Sequence, residues 1–172
     1  MKILLSNYIL LLLLGWVGLA QATEQIKERV SIGDGDLMFY GYPLEQLISD
    51  SDFRETYGLT SPCSAAWRGY QGQWIIHTGK LYLAALIKDP CRFELELEET
   101  FDLTKILPDY DFATPAQAIW FTGEIVIPIS EYRAVNEIKH NSDQTYYLEH
   151  QVIVYQIKNG NVETRTIEFR ER

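Results

Sequence analysis

The chain has 172 residues, with 15 Lys and Arg against 24 Asp and Glu for a formal net charge of −9, and is 47% hydrophobic and 23% charged. That composition excludes wholesale disorder, collagen-like repeats and coiled coil, and the length points to one domain. The acidity disfavours binding to phosphate backbones or anionic lipid headgroups, and the 11 Tyr, which suit half-buried strand faces, favour an all-β fold.

Residues 1–22 read as a secretory signal peptide. Lys2 precedes an apolar run from Ile3 to Leu19 broken only by Ser6 and Asn7, and Ala20-Gln21-Ala22 fits the small-residue cleavage pattern. The expected cut falls between Ala22 and Thr23, placing a single β-rich domain, residues 23–172, in the periplasm or outside the cell. The densest apolar stretch, residues 8–19, is short of the roughly 20 residues a spanning helix needs, so no stable membrane anchor is expected after cleavage. Cleavage removes one charge, Lys2, and leaves 150 residues at −10, so the acidity belongs to the folded domain.

Residues 25–32 and 37–40 flank Gly33-Asp34-Gly35-Asp36, which predicts a hairpin. Leu44, Leu47 and Ile48 stand at i, i+3 and i+4 behind Pro43, as one or two helical turns require. The polar stretch 49–62 reads as loop. Residues 65–77 and 80–88 predict a long hairpin about Thr78-Gly79, with Gly69 and Gly72 as bulge or bend points and a second arm apolar on both faces, as in a central strand. Phe93, Leu95 and Leu97 alternate with Glu94, Glu96 and Glu98, the period of a half-buried strand. Asp102 caps a turn over 102–107 that ends before Pro108.

Strands are expected at 118–127, ended by Pro128, then at 131–140 and 145–157, and after an Asn159-Gly160 turn at 162–169. Nearly every connection from residue 65 onward is local. The expected fold is therefore all-β with minor helical turns: an antiparallel meander of about eight or nine strands that curls, closes into a barrel or folds over as a sandwich. Cys63 and Cys91 are expected to form one disulfide, since the 78–79 hairpin leaves them only three residues out of register, a slip that bulges or irregular strand ends absorb.

Pro43-Leu44-Glu45, Trp67-Arg68-Gly69-Tyr70, Trp74-Ile75-Ile76, Lys80-Leu81-Tyr82-Leu83 and Trp120-Phe121-Thr122-Gly123, ending in Ile157-Lys158-Asn159-Gly160, resemble a set of small bacterial proteins of unknown function. Those proteins share an N-P-L-E segment, a W-R-G-Y strand, a K-L-Y-L return strand and a W-F-x-G strand leading to I-P. The resemblance spans roughly residues 33–168, and Tyr42 stands where the relatives usually have Asn. Its motifs are strand and turn residues, so it implies a fold and no activity.

No nucleophile elbow, P-loop or dinucleotide fingerprint is present, and no catalytic residue, cofactor or metal site is expected. His77, His140 and His150 form no paired ligand motif; His77 and His140 are expected at exposed turns and His150 as a core histidine with a satisfied hydrogen bond. The doublets Asp34 with Asp36, Asp50 with Asp52 and Asp109 with Asp111 lack the spacing of a calcium loop and read as turn chemistry. Arg68, expected in a strand between Trp67 and Tyr70, fits either a structural ion pair or a contact to an anion or partner. Trp67, Trp74 and Trp120 either fill the core or line a cavity, and with Arg68 and Tyr70 they are the candidate partner or ligand contacts.

The first functional expectation is a non-catalytic domain that binds another protein, in the manner of an inhibitor or immunity factor, with a basic partner favoured by charge and nucleic acid excluded by it. A carrier of a small apolar ligand inside a β-barrel is the alternative. A hydrolase with dispersed carboxylates is third.

Overall fold

Three tight turns organise the strands in the computed structural model, which describes residues 23–48, 55–59, 63–91, 100–111, 113–139 and 143–171. The segment read as a signal peptide, most of the 49–62 loop with Asp50 and Asp52, the alternating stretch 93–98, and His140 lie outside the described residues. Gly33-Asp34 joins β1 (Glu28–Ile32) to β2 (Gly35–Phe39). Thr78-Gly79 joins β3 (Tyr70–His77) to β4 (Lys80–Lys88), and Asn159-Gly160 joins β8 (Asp143–Lys158) to β9 (Asn161–Glu171). In the last two turns both residues take positive φ, 47° and 71° in the first and 48° and 73° in the second, the geometry whose twist matches paired strands.

The remaining strands are β5 (Ala116–Gln117), β6 (Gly123–Pro128) and β7 (Arg133–Lys139). Short 3₁₀ turns occupy Pro43–Gln46, Ser64–Ala66 and Leu103–Lys105, the last capped as expected by Asp102, whose carboxylate accepts from Thr104 N at 3.1 Å. The fold is all-β, as the sequence predicts, with nine strands among the described residues.

Several boundaries differ. The strand expected from residue 65 begins at Tyr70, because Ser64–Ala66 is helical and Gly69, at φ 76°, reverses the chain first. Arg68 therefore lies in a turn and not in a strand. The bulge falls elsewhere than at Gly72: Gln73 faces Ala85 and Trp74 faces Leu83, leaving Ala84 as the extra residue on β4. That insertion lets Leu86 rejoin Leu81 and Leu83 in the core. Residues 118–122 turn before β6, with Phe121 N bonded to Ala118 O at 2.9 Å. One pairing departs from an antiparallel meander, since β1 runs parallel to β3 with Val30 opposite Trp74.

The strand order is β2-β1-β3-β4-β9-β8-β6, with β5 on β4 and β7 on β8. β6 and β7 run end to end along one edge of β8, interrupted where Ser130 Oγ accepts from Gln151 N at 2.8 Å in place of a ladder carbonyl. β4 meets β9 at the single pair Lys80 and Asn161, and the far ends of the path meet at a bridge between Tyr40 and Val126, with N to O distances of 2.9 and 3.2 Å. Neither junction extends into a ladder, so the sheet curls without closing into a barrel. One core lies between the two halves, with Phe39, Tyr70, Trp74, Leu81 and Leu83 from one side and Ile125, Ile127, Tyr155 and Ile157 from the other. Cys63 and Cys91 are disulfide-bonded, with Cα atoms 6.3 Å apart, and tie the approach to β3 to the exit from β4.

Candidate functional site

Strand periodicity places Glu28, Val30 and Ile32 on the same side of β1, with Ile26 in phase just before it, so a glutamate is drawn into an apolar face. Glu28 is fully buried. Its Oε2 accepts from Gly72 N at 2.6 Å and from Trp74 Nε1 at 3.0 Å, both on β3, and its Oε1 lies 3.4 Å from Arg68 Nη2. The same Nη2 donates to Ile26 O at 2.9 Å. Burial pushes the Glu28 carboxyl up to about 7, against the lowering pull of the Trp74 indole, the Arg68 guanidinium and the Gly72 amide. Gly72 is required here because a side-chain carbon would run into the Glu28 carboxylate and the Trp74 ring. Gly72→Ala is expected to cost about 1–3 kcal/mol of stability, measured by urea unfolding; a neutral result would mean the carboxylate does not sit against this strand.

Arg68 is as buried as its partner. Its guanidinium lies 3.7 Å from the Tyr42 ring centroid and 5.7 Å from that of Tyr70, so a flat cation is held against two aromatic rings while it pairs with Glu28. The Tyr70 hydroxyl donates to Glu45 Oε1 at 2.6 Å; burial and that carboxylate push the phenol far above its ordinary range.

Tyr42 and Glu45 bracket the start of the Pro43–Gln46 turn, whose other contacts run outward. Trp120 Nε1 donates to Pro43 O at 3.2 Å, Gln46 Nε2 donates to Thr122 O at 2.8 Å, and Thr122 N donates to Gln46 Oε1 at 3.0 Å. The P-L-E, W-R-G-Y and W-F-T-G segments thus converge on a single helical turn. Beyond it opens a groove of about 440 Å³ lined by Leu47, Leu107, Pro108, Tyr110, Pro115, Ile119 and Trp120, with Asp109 and Asp111 as its charged lining residues among those described. Ile119 is 65% exposed at its edge, the largest exposure of any large apolar side chain among the described residues.

The outer face of β8 carries a second polar assembly. Arg170 on β9 reaches Glu124 on β6 at 2.8 Å and Glu168 at 2.7 Å, crossing β8 above the buried Val152 and Val154. His150 is buried beside it, against the Tyr132 ring at 4.3 Å between centroids. Contrary to expectation, neither of its ring nitrogens has a hydrogen-bond partner among the described residues. His77 is exposed at its hairpin turn.

The structure separates the five candidate contacts. Arg68, Tyr70 and Trp74 are buried parts of one ionic and aromatic node, where Arg68 has the ion-pair geometry weighed for it. Trp67 is 53% exposed on the preceding turn, and Trp120 is half-buried in the groove wall. Sequence reasoning missed Glu28, Tyr42, Glu45 and Ile119; for Glu28 the signal was a charge in phase with Ile26, Val30 and Ile32. Asp34, Asp36, Asp109 and Asp111 fall in or beside turns, and the described residues contain no group of three or more His, Cys, Asp or Glu able to hold a metal ion. No helix among the described residues is long and apolar enough to cross a membrane. No protein-family model, curated protein or solved structure matches the chain.

Proposed function

We propose that the chain is an exported, non-catalytic domain that binds another protein, and that it does so through the groove between Ile119-Trp120 and residues 107–111. The observation that carries this reading is the exposure of Ile119 at the edge of an apolar groove whose wall is fixed from behind by Pro43 and Gln46. A rigid wall and an exposed apolar anchor are what a docking site needs, because little order has to be created on binding. The net charge of −9 favours a basic partner and speeds its approach at low salt.

Burying one Ile side chain contributes about 1.5–3 kcal/mol, so Ile119→Asp is expected to weaken partner binding by tenfold or more without lowering thermal stability. The test is a photo-crosslinking residue placed at 119 and, as a control, at 34, in the native host. A discrete adduct from 119 alone supports the reading; equal labelling from both positions, or none from 119, overturns it.

A carrier of a small apolar ligand is the second reading, favoured by a groove volume typical of small-molecule sites. The interior between the sheet halves is occupied by Trp74, Tyr70 and Phe39, so such a ligand would use the surface groove. Native mass spectrometry of gently purified protein would then show an extra mass that Ile119→Asp removes.

A further inference from the structure

We infer that the groove takes a short segment of its partner in which a Lys or Arg lies next to a large apolar side chain. This rests on the protein-binding reading above and adds the chemistry of what is bound. Two features of the groove fix that chemistry independently. Its apolar part, with Leu47, Leu107, Ile119 and Trp120, offers contact area to a large side chain and no indole N–H, because Trp120 Nε1 is already committed to Pro43 O. Its charged part is of one sign: Asp109 and Asp111 line it, both are exposed, and neither carboxylate is paired with a cation among the described residues.

Asp111 spends one oxygen on its own turn, accepting from Ala113 N at 3.0 Å, which holds the carboxylate at the groove. Two unneutralised carboxylates two residues apart repel an acidic segment and attract a cation arriving with the apolar anchor. Because both are exposed, they set selectivity and rate of approach more than they set affinity. The apolar contact supplies the affinity. A folded acidic surface and a nucleic acid are both turned away by the same charges.

The test uses a random dodecapeptide display library panned at low salt on the purified protein, on Ile119→Asp, and on the double variant Asp109→Asn with Asp111→Asn. Asn at 111 keeps the acceptor that its turn requires. Peptides enriched on the wild type are expected to carry Lys or Arg within two residues of Trp, Phe, Leu or Ile. Their synthetic forms should lose about tenfold or more in affinity on Ile119→Asp, and a smaller factor on the double variant together with most of their salt dependence. Peptides that need Ile119 but lack basic residues, and that bind the double variant unchanged, would overturn this inference and leave the protein-binding reading standing. Enrichment identical on Ile119→Asp, or no enrichment at all, would overturn the groove as a binding site and both statements with it.

Discussion

Replacing Arg68 with Ala is expected to destabilise the protein by about 3–5 kcal/mol, a large part of the 5–15 kcal/mol that holds most domains folded. The size follows from what the side chain does. It is the cation beside a fully buried carboxylate, it donates to Ile26 O, and its plane fills the space against the Tyr42 ring. Removing it leaves Glu28 without its counter-charge and a cavity beneath Tyr42. Arg68→Lys keeps the charge but loses the flat face that stacks on Tyr42, so it should fall between wild type and Ala. Urea unfolding at pH 7 measures all three. An Ala variant within about 1 kcal/mol of wild type would show that the pair contributes little.

The second large effect is on the pH profile. Glu28 titrates near 7 in the folded protein and near 4.5 when unfolded. Between those values the unfolded chain gives up the proton and the folded one keeps it, so stability is highest below the unfolded value and falls as pH rises through the folded one. The fall amounts to roughly 3 kcal/mol at one pKa unit per 1.36 kcal/mol. Asp102 and Glu124 act on the opposite limb: the Thr104 hydroxyl and amide hold the first below its ordinary value, and Arg170 and Gln156 the second, so their contribution is lost only as pH drops through that acid range. Unfolding free energies at pH 5, 6, 7 and 8 should therefore decline stepwise. Glu28→Gln should flatten that decline whatever its own stability; a slope unchanged in that variant would assign the titration elsewhere.

Local chemistry made much of this fold legible. Asn159-Gly160 and Thr78-Gly79 announced their hairpins because their dihedrals suit the twist of paired strands, and Asp102 announced its cap because an unpaired amide two residues on needs an acceptor. What stayed hidden was set by distance along the chain. The parallel pairing of β1 with β3 depends on contacts 44 residues apart, such as Glu28 to Gly72, and no local pattern specifies such a register. Arg68 was legible as a cation among aromatic residues, but its partner was visible only as a phase error in an apolar face. The groove was less legible still. Its lining is contributed by Leu47 and by residues 107–111, 114–117, 119 and 120, two stretches that nothing in their own sequences brings together, and Gln46 and Pro43 join them only in three dimensions.

The parallel pairing also bears on the order in which the molecule assembles. Hairpins such as β1 with β2, β3 with β4 and β8 with β9 close over short loops within microseconds, whereas the second edge of β1 must wait for a strand more than 40 residues later in synthesis. The first hairpin is thus complete before the strand that secures its other edge has been made. Until Gly72 and Trp74 arrive, Glu28 is a hydrated carboxylate on a strand whose second edge is open, and its charge disfavours pairing of that edge with another chain. The residue that is costly to bury in the finished protein is the one that guards the chain while it is being made.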